Sequence, residues 1–176
     1  ALSAIDRLRD TGHSHDRLFL VEVMGRHSGH IALNVGIAGG AEEILVPERE
    51  YDIDEMLRSI AAGRRRGRSS SIIVVAEGAT KGGATELEKR IEAVSGYEVR
   101  TSVLGHVQRG GAPSTRDRVL AARLGYHAVV GLLEGKSDVM VGVDKRDTVF
   151  VPLEDTWEKQ KELEWHLYDI NKVLAG

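Results

Sequence analysis

An α/β fold, with a mainly parallel sheet and helices on both faces, is predicted by three features of these 176 residues. Strand-like and helix-like stretches alternate along the chain, the pattern of βαβ units. Ser71-Ile72-Ile73-Val74-Val75-Ala76 is apolar almost without interruption, as expected of a parallel strand buried on both faces. Glycines punctuate the periodic segments at Gly12, Gly39-Gly40, Gly63 and Gly96, where helices give way to turns.

Leu2, Ile5 and Leu8 or Arg9 share one side of an opening helix that Gly12 ends. Leu18 to Val23 reads as a strand, Met24-Gly25-Arg26 as the turn after it, and Gly29 to Ala38 as a helix of small residues. Ile44 to Pro47 is a short strand. Asp52 and Glu55 form a capping-box pattern before a helix with Ile53, Met56, Leu57 and Ile60 on one face. After the buried strand 71–76 come Glu77-Gly78, a flexible segment through Gly82-Gly83, and a helix marked by Leu87, Ile91 and Val94. Val99 to Leu104 is rich in β-branched residues and reads as a strand. A long helix is expected from Ser114 to about Glu134, then β-like pieces at 139–143 and 149–153. The last helix is expected from about Thr156 to Leu174, with Leu163, Leu167, Ile170 and Val173 or Leu174 on its apolar side.

Composition narrows the function. The chain is 41% hydrophobic and 29% charged, enough apolar matter for a real core. A net charge of −3 draws it globally to neither nucleic acid nor membrane. With no cysteine there is no disulfide framework, thiolate metal site or cysteine nucleophile. No apolar run reaches the length of a membrane span and the N-terminus is not a signal peptide, which favours the cytoplasm. The first residue is Ala1, inside a helical pattern, so the expectation is a piece of a longer protein.

In open parallel sheets, ligands bind beyond the carboxyl ends of the strands. The residues just past the strand ends here are Met24-Gly25-Arg26, then Glu77, then Gly105-His106-Val107-Gln108-Arg109. Glycine lets backbone approach a ligand, and Arg offers a fork of donors matched to phosphate. Glu accepts hydrogen bonds and so suits hydroxyls, not phosphate. Together they fit a sugar phosphate. The competing reading of each piece is a capping carboxylate or a strand-to-helix turn with solvated side chains.

The opposite, amino edge collects a second group: Gly39-Gly40-Ala41-Glu42 before one strand, Arg64 to Arg68 before another, and Arg17 and Arg100 each before a further one. A six-residue strand spans about 20 Å, so these cannot serve the carboxyl-edge site of their own chain. Arg64 and Arg65 read as solvated surface. The arginine run lacks interleaved aromatic residues for stacking on bases. His13, His15, His27 and His30 are close in sequence but read as structural or surface residues, not metal ligands. The G-x-x-x-x-G-K-[ST], H-E-x-x-H and G-x-S-x-G patterns are absent, and no residue stands out as a general base.

Three motifs occurring in this order, Val21-Glu22-Val23-Met24-Gly25-Arg26, Ile37-Ala38-Gly39-Gly40-Ala41-Glu42 and Leu104 to Pro113, resemble the C-terminal half of bacterial 6-phosphofructokinase. The resemblance is in good register from Ala1 to about Leu133 and weaker in the tail. It implies Rossmann-type layers and transfer of the γ-phosphoryl of ATP to fructose 6-phosphate, with Mg²⁺, in an allosteric cytoplasmic homotetramer of glycolysis. On that resemblance Met24, Gly25, Arg26, Glu77, His106, Val107, Gln108 and Arg109 bind fructose 6-phosphate, while Arg17 and Arg100 serve a neighbouring subunit's substrate. Arg9, Gly40, Ala41, Glu42, Arg66, Arg68, Ser69 and Ser70 match an effector site for a nucleotide or phosphoenolpyruvate. Residues 1–113 would be the fructose 6-phosphate-binding domain. Residues 114–154 would pack on an ATP domain lying outside this chain, and 155–176 would form a C-terminal helix.

Two departures bear on the resemblance. The segment around Lys81-Gly82-Gly83 is slightly longer than in familiar bacterial members. The family's N-terminal half is absent, with its ATP loops, Mg²⁺ ligand, general base and some effector-site arginines. The chain alone is therefore expected to be inactive, with no catalytic or metal-ligating residue of its own. A pyrophosphate-dependent relative is the neighbouring alternative, and a non-catalytic module sensing phosphate or nucleotide is an alternative of another class.

Overall fold

The computed structural model describes residues 1–12, 17–67 and 71–175. They form two compact units, Ala1–Gly110 with Leu163–Gly176, and Gly111–Glu162.

The first unit is built on a four-stranded parallel sheet, in the order β2-β3-β1-β4. The strands are β1 (Leu18–Val23), β2 (Glu43–Leu45), β3 (Ser71–Ala76) and β4 (Val99–Val103). Helices α1 (Leu2–Gly12), α2 (His30–Ala38), α3 (Ile53–Arg65) and α4 (Gly83–Ser95) occur between or before them. Successive residues of a strand point to opposite faces, and the core divides accordingly. Phe19, Val21, Val23, Ile72, Val74 and Ala76 pack on one side with Ile5 of α1 and Ala32 and Leu33 of α2. Leu18, Leu20, Ile73 and Val75 pack on the other with Met56 and Ile60 of α3 and Leu87 and Ile91 of α4. All six residues of β3 are buried, which is the physical reason its sequence is a continuous apolar run rather than an alternating one.

Several boundaries shift from expectation. β2 covers Glu43–Leu45 rather than Ile44 to Pro47. Arg100 is the second residue of β4, paired in register with Phe19, and does not precede the strand. Val94, in the last turn of α4, is 63% exposed, and the buried stripe is Ala84, Leu87 and Ile91. Asp52 caps α3 as expected, accepting the Glu55 N–H at 2.9 Å. The Glu55 carboxylate instead lies 4.0 Å from Lys172 Nζ.

The expected final helix is two helices. Asp155–Glu158 (α6) belongs to the second unit and Trp165–Ala175 (α7) to the first. Residues 159–164 between them are not helical. Lys159-Gln160-Lys161-Glu162 offers no apolar face to bury, and a helix gains most of its stability from such a face. Leu163, only 5% exposed, enters the core, and α7 starts two residues later. The buried face of α7 is Tyr168, Asn171 and Ala175, whereas Ile170, Val173 and Leu174 are exposed. The Tyr168 ring fixes this rotation: it packs in the core cluster with Arg49 and Lys172 over it, at 4.8 and 5.8 Å from its centroid. Burial pushes its hydroxyl above the ordinary tyrosine pKa, and it does the same to the carboxyl of neighbouring Glu43.

The second unit contains α5 (Thr115–Leu133) and an antiparallel hairpin of β5 (Val139–Asp144) and β6 (Asp147–Pro152). A full capping box starts α5: Ser114 Oγ accepts the Asp117 N–H at 3.3 Å, and Asp117 Oδ2 accepts the Ser114 N–H at 2.8 Å. Gly131 lets α5 approach the hairpin, since a Cβ there would sit 2.5 Å from the Phe150 ring. Arg123 adds a hydrogen bond to Thr148 Oγ1 at 2.8 Å.

Two outcomes test this packing. Ile73→Ala should destabilise the protein by about 2–5 kcal/mol, and Val94→Ala by no more than about 0.5 kcal/mol, read from urea unfolding. The Asp117 carboxyl is held below its usual range first by the Ser114 hydroxyl and then by the Ser114 N–H. A depressed carboxylate contributes stability above its unfolded pKa that is lost as pH falls through the folded value. NMR titration should therefore show the Asp117 pKa rising in Ser114→Ala, and α5 should fray at a higher pH.

Candidate functional site

β1 lies between β3 and β4, with Val23 opposite Ala76 and Glu22 opposite Val103. Three segments consequently leave the sheet side by side: Met24-Gly25-Arg26, Glu77-Gly78, and the 3₁₀ helix Gly105–Arg109. Hydrogen bonds join them. Glu77 N–H donates to the Val23 carbonyl at 2.9 Å. Glu77 Oε1 accepts the N–H groups of Arg26 at 2.6 Å and Gly25 at 3.3 Å. Gln108 Oε1 accepts the Met24 N–H at 2.9 Å.

Beyond these strand ends an open pocket of about 500 Å³ is lined by Met24, Gly25, Arg26, Glu77, Gln108 and Arg109, with Ala1, Ile31 and Val35. Two guanidinium-bearing residues and one carboxylate thus share one hollow. Oε1 of Glu77 is committed to the backbone of the neighbouring turn, and Oε2 takes part in neither bond. A carboxylate in this position can still accept from hydroxyls. The 3₁₀ helix has three residues per turn, so His106 and Arg109 lie above one another on one side. Both residues are exposed at the surface. His106 and Val107 are not among the residues lining the pocket.

The turn depends on close backbone approach. A Cβ on Gly25 would lie 2.3 Å from the Ser28 carbonyl oxygen, and one on Gly78 would lie 1.9 Å from that of Arg26. Arg26 itself has φ 51°, in the left-handed region, a conformation costing a non-glycine residue about 1–3 kcal/mol. The Glu77 oxygen that receives its N–H offsets that cost. Gly78 joins the site by this close approach, and its signal in the sequence is a glycine directly after a strand-end carboxylate. Glu48, which no motif in the sequence marks, accepts the Gly29 N–H from the segment after β2, at 2.9 and 3.1 Å to its two oxygens, at the start of α2.

The amino edge holds the other candidates. Glu98 bridges Arg17 and Arg100, with Arg17 Nε 3.4 Å from its Oε2 and the Arg100 guanidinium on its other oxygen. Partial desolvation pushes the Glu98 carboxyl up, but the two arginines outweigh it and hold it below its ordinary value. Arg9 donates to the carbonyls of Gly39 at 2.5 Å and Gly40 at 2.7 Å, where α2 ends. Ala41 and Glu42 are buried, and Glu42 Oε2 accepts the Ile72 N–H at 2.6 Å. Arg66 is exposed and caps the end of α3. Arg68, Ser69 and Ser70 lie outside the described residues, as do His13 and His15. Among the described residues no three His, Asp or Glu side chains are grouped to hold a metal ion, and no helix is long and apolar enough to cross a membrane.

The family model for phosphofructokinase matches residues 1–132. The chain is 50% identical over 175 residues to ATP-dependent 6-phosphofructokinase 1 of Thermus thermophilus, covering 99% of this chain and 54% of that one. It is 49% identical over 174 residues to ATP-dependent 6-phosphofructokinase of Bacillus pumilus, with the same coverage. The chain thus spans about half the length of the curated relatives it matches. Among solved structures it superposes on phosphofructokinase of Saccharomyces cerevisiae with a TM-score of 0.83 and 34% identity, over 99% of this chain and 24% of that one. A pyrophosphate-dependent phosphofructokinase of Marinobacter aquaeolei shares the fold, at TM-score 0.75 and 24% identity over 94% of this chain and 46% of that one.

Gly78→Ala is expected to push Arg26 off the Glu77 carboxylate and to cost about 1–3 kcal/mol. Thermal unfolding gives the cost, and the amide shifts of Gly25 and Arg26 report the displaced turn.

Proposed function

The chain belongs to the phosphofructokinase family, and from that premise we propose that it is the sugar-phosphate-binding half of an ATP-dependent 6-phosphofructokinase. The observation that carries the reading is the placing of Arg26, Arg109 and Glu77 around one pocket at the sheet's carboxyl edge. A sugar phosphate asks for cations at one end and hydroxyl acceptors at the other. Curated relatives near 50% identity, named as ATP-dependent enzymes, favour ATP over pyrophosphate as the donor.

In this reading Arg109 and His106 donate to the 6-phosphate, where charge-assisted bonds are the strong ones. Glu77 accepts from the sugar hydroxyls, and the backbone turn Met24-Gly25-Arg26 closes around the sugar. The pocket binds and orients the acceptor hydroxyl; phosphoryl transfer further needs a positioned donor and a residue that orients the attacking oxygen. We assign ATP, Mg²⁺ and the general base to the part of the curated relatives, about half their length, that this chain does not span. The α5 surface, with Val119, Tyr126, Val129, Leu132 and Leu133 exposed, suits residues 114–154 to packing on that further part.

The amino-edge groups receive separate roles. Arg17, just before β1, stands about 20 Å from its own pocket, and Arg100, the second residue of β4, shares Glu98 with it; in a cytoplasmic homotetramer both would meet a neighbouring subunit's substrate. Arg9, Gly40, Ala41, Glu42, Arg66, Arg68, Ser69 and Ser70 would form the effector site for a nucleotide or phosphoenolpyruvate. There Glu42, buried against the Ile72 N–H, would shape the site more than it would meet a ligand's metal.

The direct test is fructose 6-phosphate binding to this chain by calorimetry. Arg109→Ala should weaken it by about 10- to 100-fold, the loss of one charge-assisted contact worth about 1.5–3 kcal/mol. Unchanged affinity would remove the phosphate role of the 3₁₀ helix.

A further inference from the structure

Glu22 occupies a place where the sheet pattern calls for an apolar side chain. In β1 the even-numbered Leu18 and Leu20 bury themselves in the cluster shared with α3 and α4, and Glu22 is next on that face. A carboxylate in such a half-buried place requires partners. It has one at the start of α4: Glu22 Oε2 accepts the Ala84 N–H at 2.6 Å. The helix offers no cap of its own, because its N-cap is Gly82, with no side chain to bond. A negative charge there also meets the positive end of the helix dipole. The fit is close, since a Cβ on Gly83 would sit 2.7 Å from the same carboxylate oxygen.

The loop from Glu77 to Gly83 is therefore tied at both ends to consecutive residues of β1. Its first N–H, on Glu77, reaches the Val23 carbonyl, and the Ala84 N–H just past its end reaches the Glu22 carboxylate. Between the anchors the loop is held by Gly83 N–H to Thr80 O at 3.2 Å and Ala79 N–H to Ala76 O at 2.8 Å. The Glu22 carbonyl also accepts the Leu104 N–H at 3.1 Å, where the chain enters the 3₁₀ helix. Glu22 thus touches the root of two of the three segments that build the pocket, without lining the pocket itself.

We propose that Glu22 is a positioning residue: its carboxylate holds the start of α4 and thereby fixes the loop that carries Glu77, and through Glu77 the turn of Gly25 and Arg26. The consequence for substrate rests on the sugar-phosphate reading of the pocket; the mechanical coupling does not. Glu77 must sit at hydrogen-bond distance from two N–H groups of another segment, and a loop released at its far end would let that carboxylate drift.

Amide hydrogen exchange on the whole 176-residue chain, paired with fructose 6-phosphate calorimetry, tests both levels. In Glu22→Ala the Ala84 amide should exchange about tenfold faster or more, and the Gly25 and Arg26 amides should accelerate with it. Fructose 6-phosphate affinity should fall about 5- to 20-fold, by loss of orientation. Glu22→Gln keeps an acceptor oxygen and should restore affinity and exchange to within about threefold of the parent chain. Should Glu22→Ala not fold, Gly83→Ala pushes on the same oxygen and should give the same linked acceleration. If Ala84 is freed while Gly25 and Arg26 remain protected, Glu22 is only a helix cap and the proposal falls. It also falls if Glu22→Gln is as impaired as Glu22→Ala. If the parent chain does not bind fructose 6-phosphate, the reading of the pocket fails, and exchange at Gly25 and Arg26 still decides the role of Glu22.

Discussion

Much of the molecule depends on the burial of β1 and β3 on both faces. Strands so covered leave little side-chain surface to meet a ligand, because their apolar side chains are spent on the core on one side or the other. Polar chemistry is thereby pushed to the strand ends, where backbone groups leave the sheet and side chains escape the helices. Glu22 and Arg17 mark the two limits of that rule in β1. The first lies near the end of the strand, with its carboxylate on a helix N-terminus; the second stands just before the strand, paired with Glu98.

At the carboxyl end, buried packing and polar function are joined by carboxylates that accept backbone N–H groups. Glu77 holds the turn after β1, Glu48 meets the start of α2, and Glu22 meets the start of α4. Each joins segments that are distant in sequence. At the two helix starts the carboxylate replaces a local cap that the adjoining glycine cannot provide. The glycines are a geometric necessity here. Gly78 and Gly25 allow backbones to approach where a methyl group would overlap a carbonyl oxygen. Arg26 is placed in a left-handed conformation at the same point, so the strained residue, the close approach and the anchoring carboxylate are one structural unit.

The two edges of the sheet differ in the way their charges are handled. At the amino edge Arg17 and Arg100 share Glu98, Arg9 covers carbonyls at the end of α2, and Glu42 is buried on the Ile72 N–H. At the carboxyl edge Arg26 and Arg109 are exposed around an open hollow. Cations left in solvent beside a concave surface have desolvation still to undergo, and an anion arriving there supplies the compensating charge.

The sequence by itself determined the layer architecture. Apolar runs and their periods dictate which segments must be covered on one face or two, and that requirement is local enough to read from Ser71 to Ala76 alone. It also placed Arg26, Glu77 and Arg109 at strand ends, since the direction of a parallel strand fixes which of its flanks meets the carboxyl edge. The tertiary structure alone decided the rest. The break between α6 and α7, and the turning of Tyr168, Asn171 and Ala175 inward in place of Ile170 and Val173, reflect where the core has room, which periodicity cannot express. The anchors made by Glu22, Glu48 and Glu77 span 62, 19 and 51 or 52 residues. A side chain's own position carries no record of which distant N–H it will meet; only the folded register of the strands brings the two together.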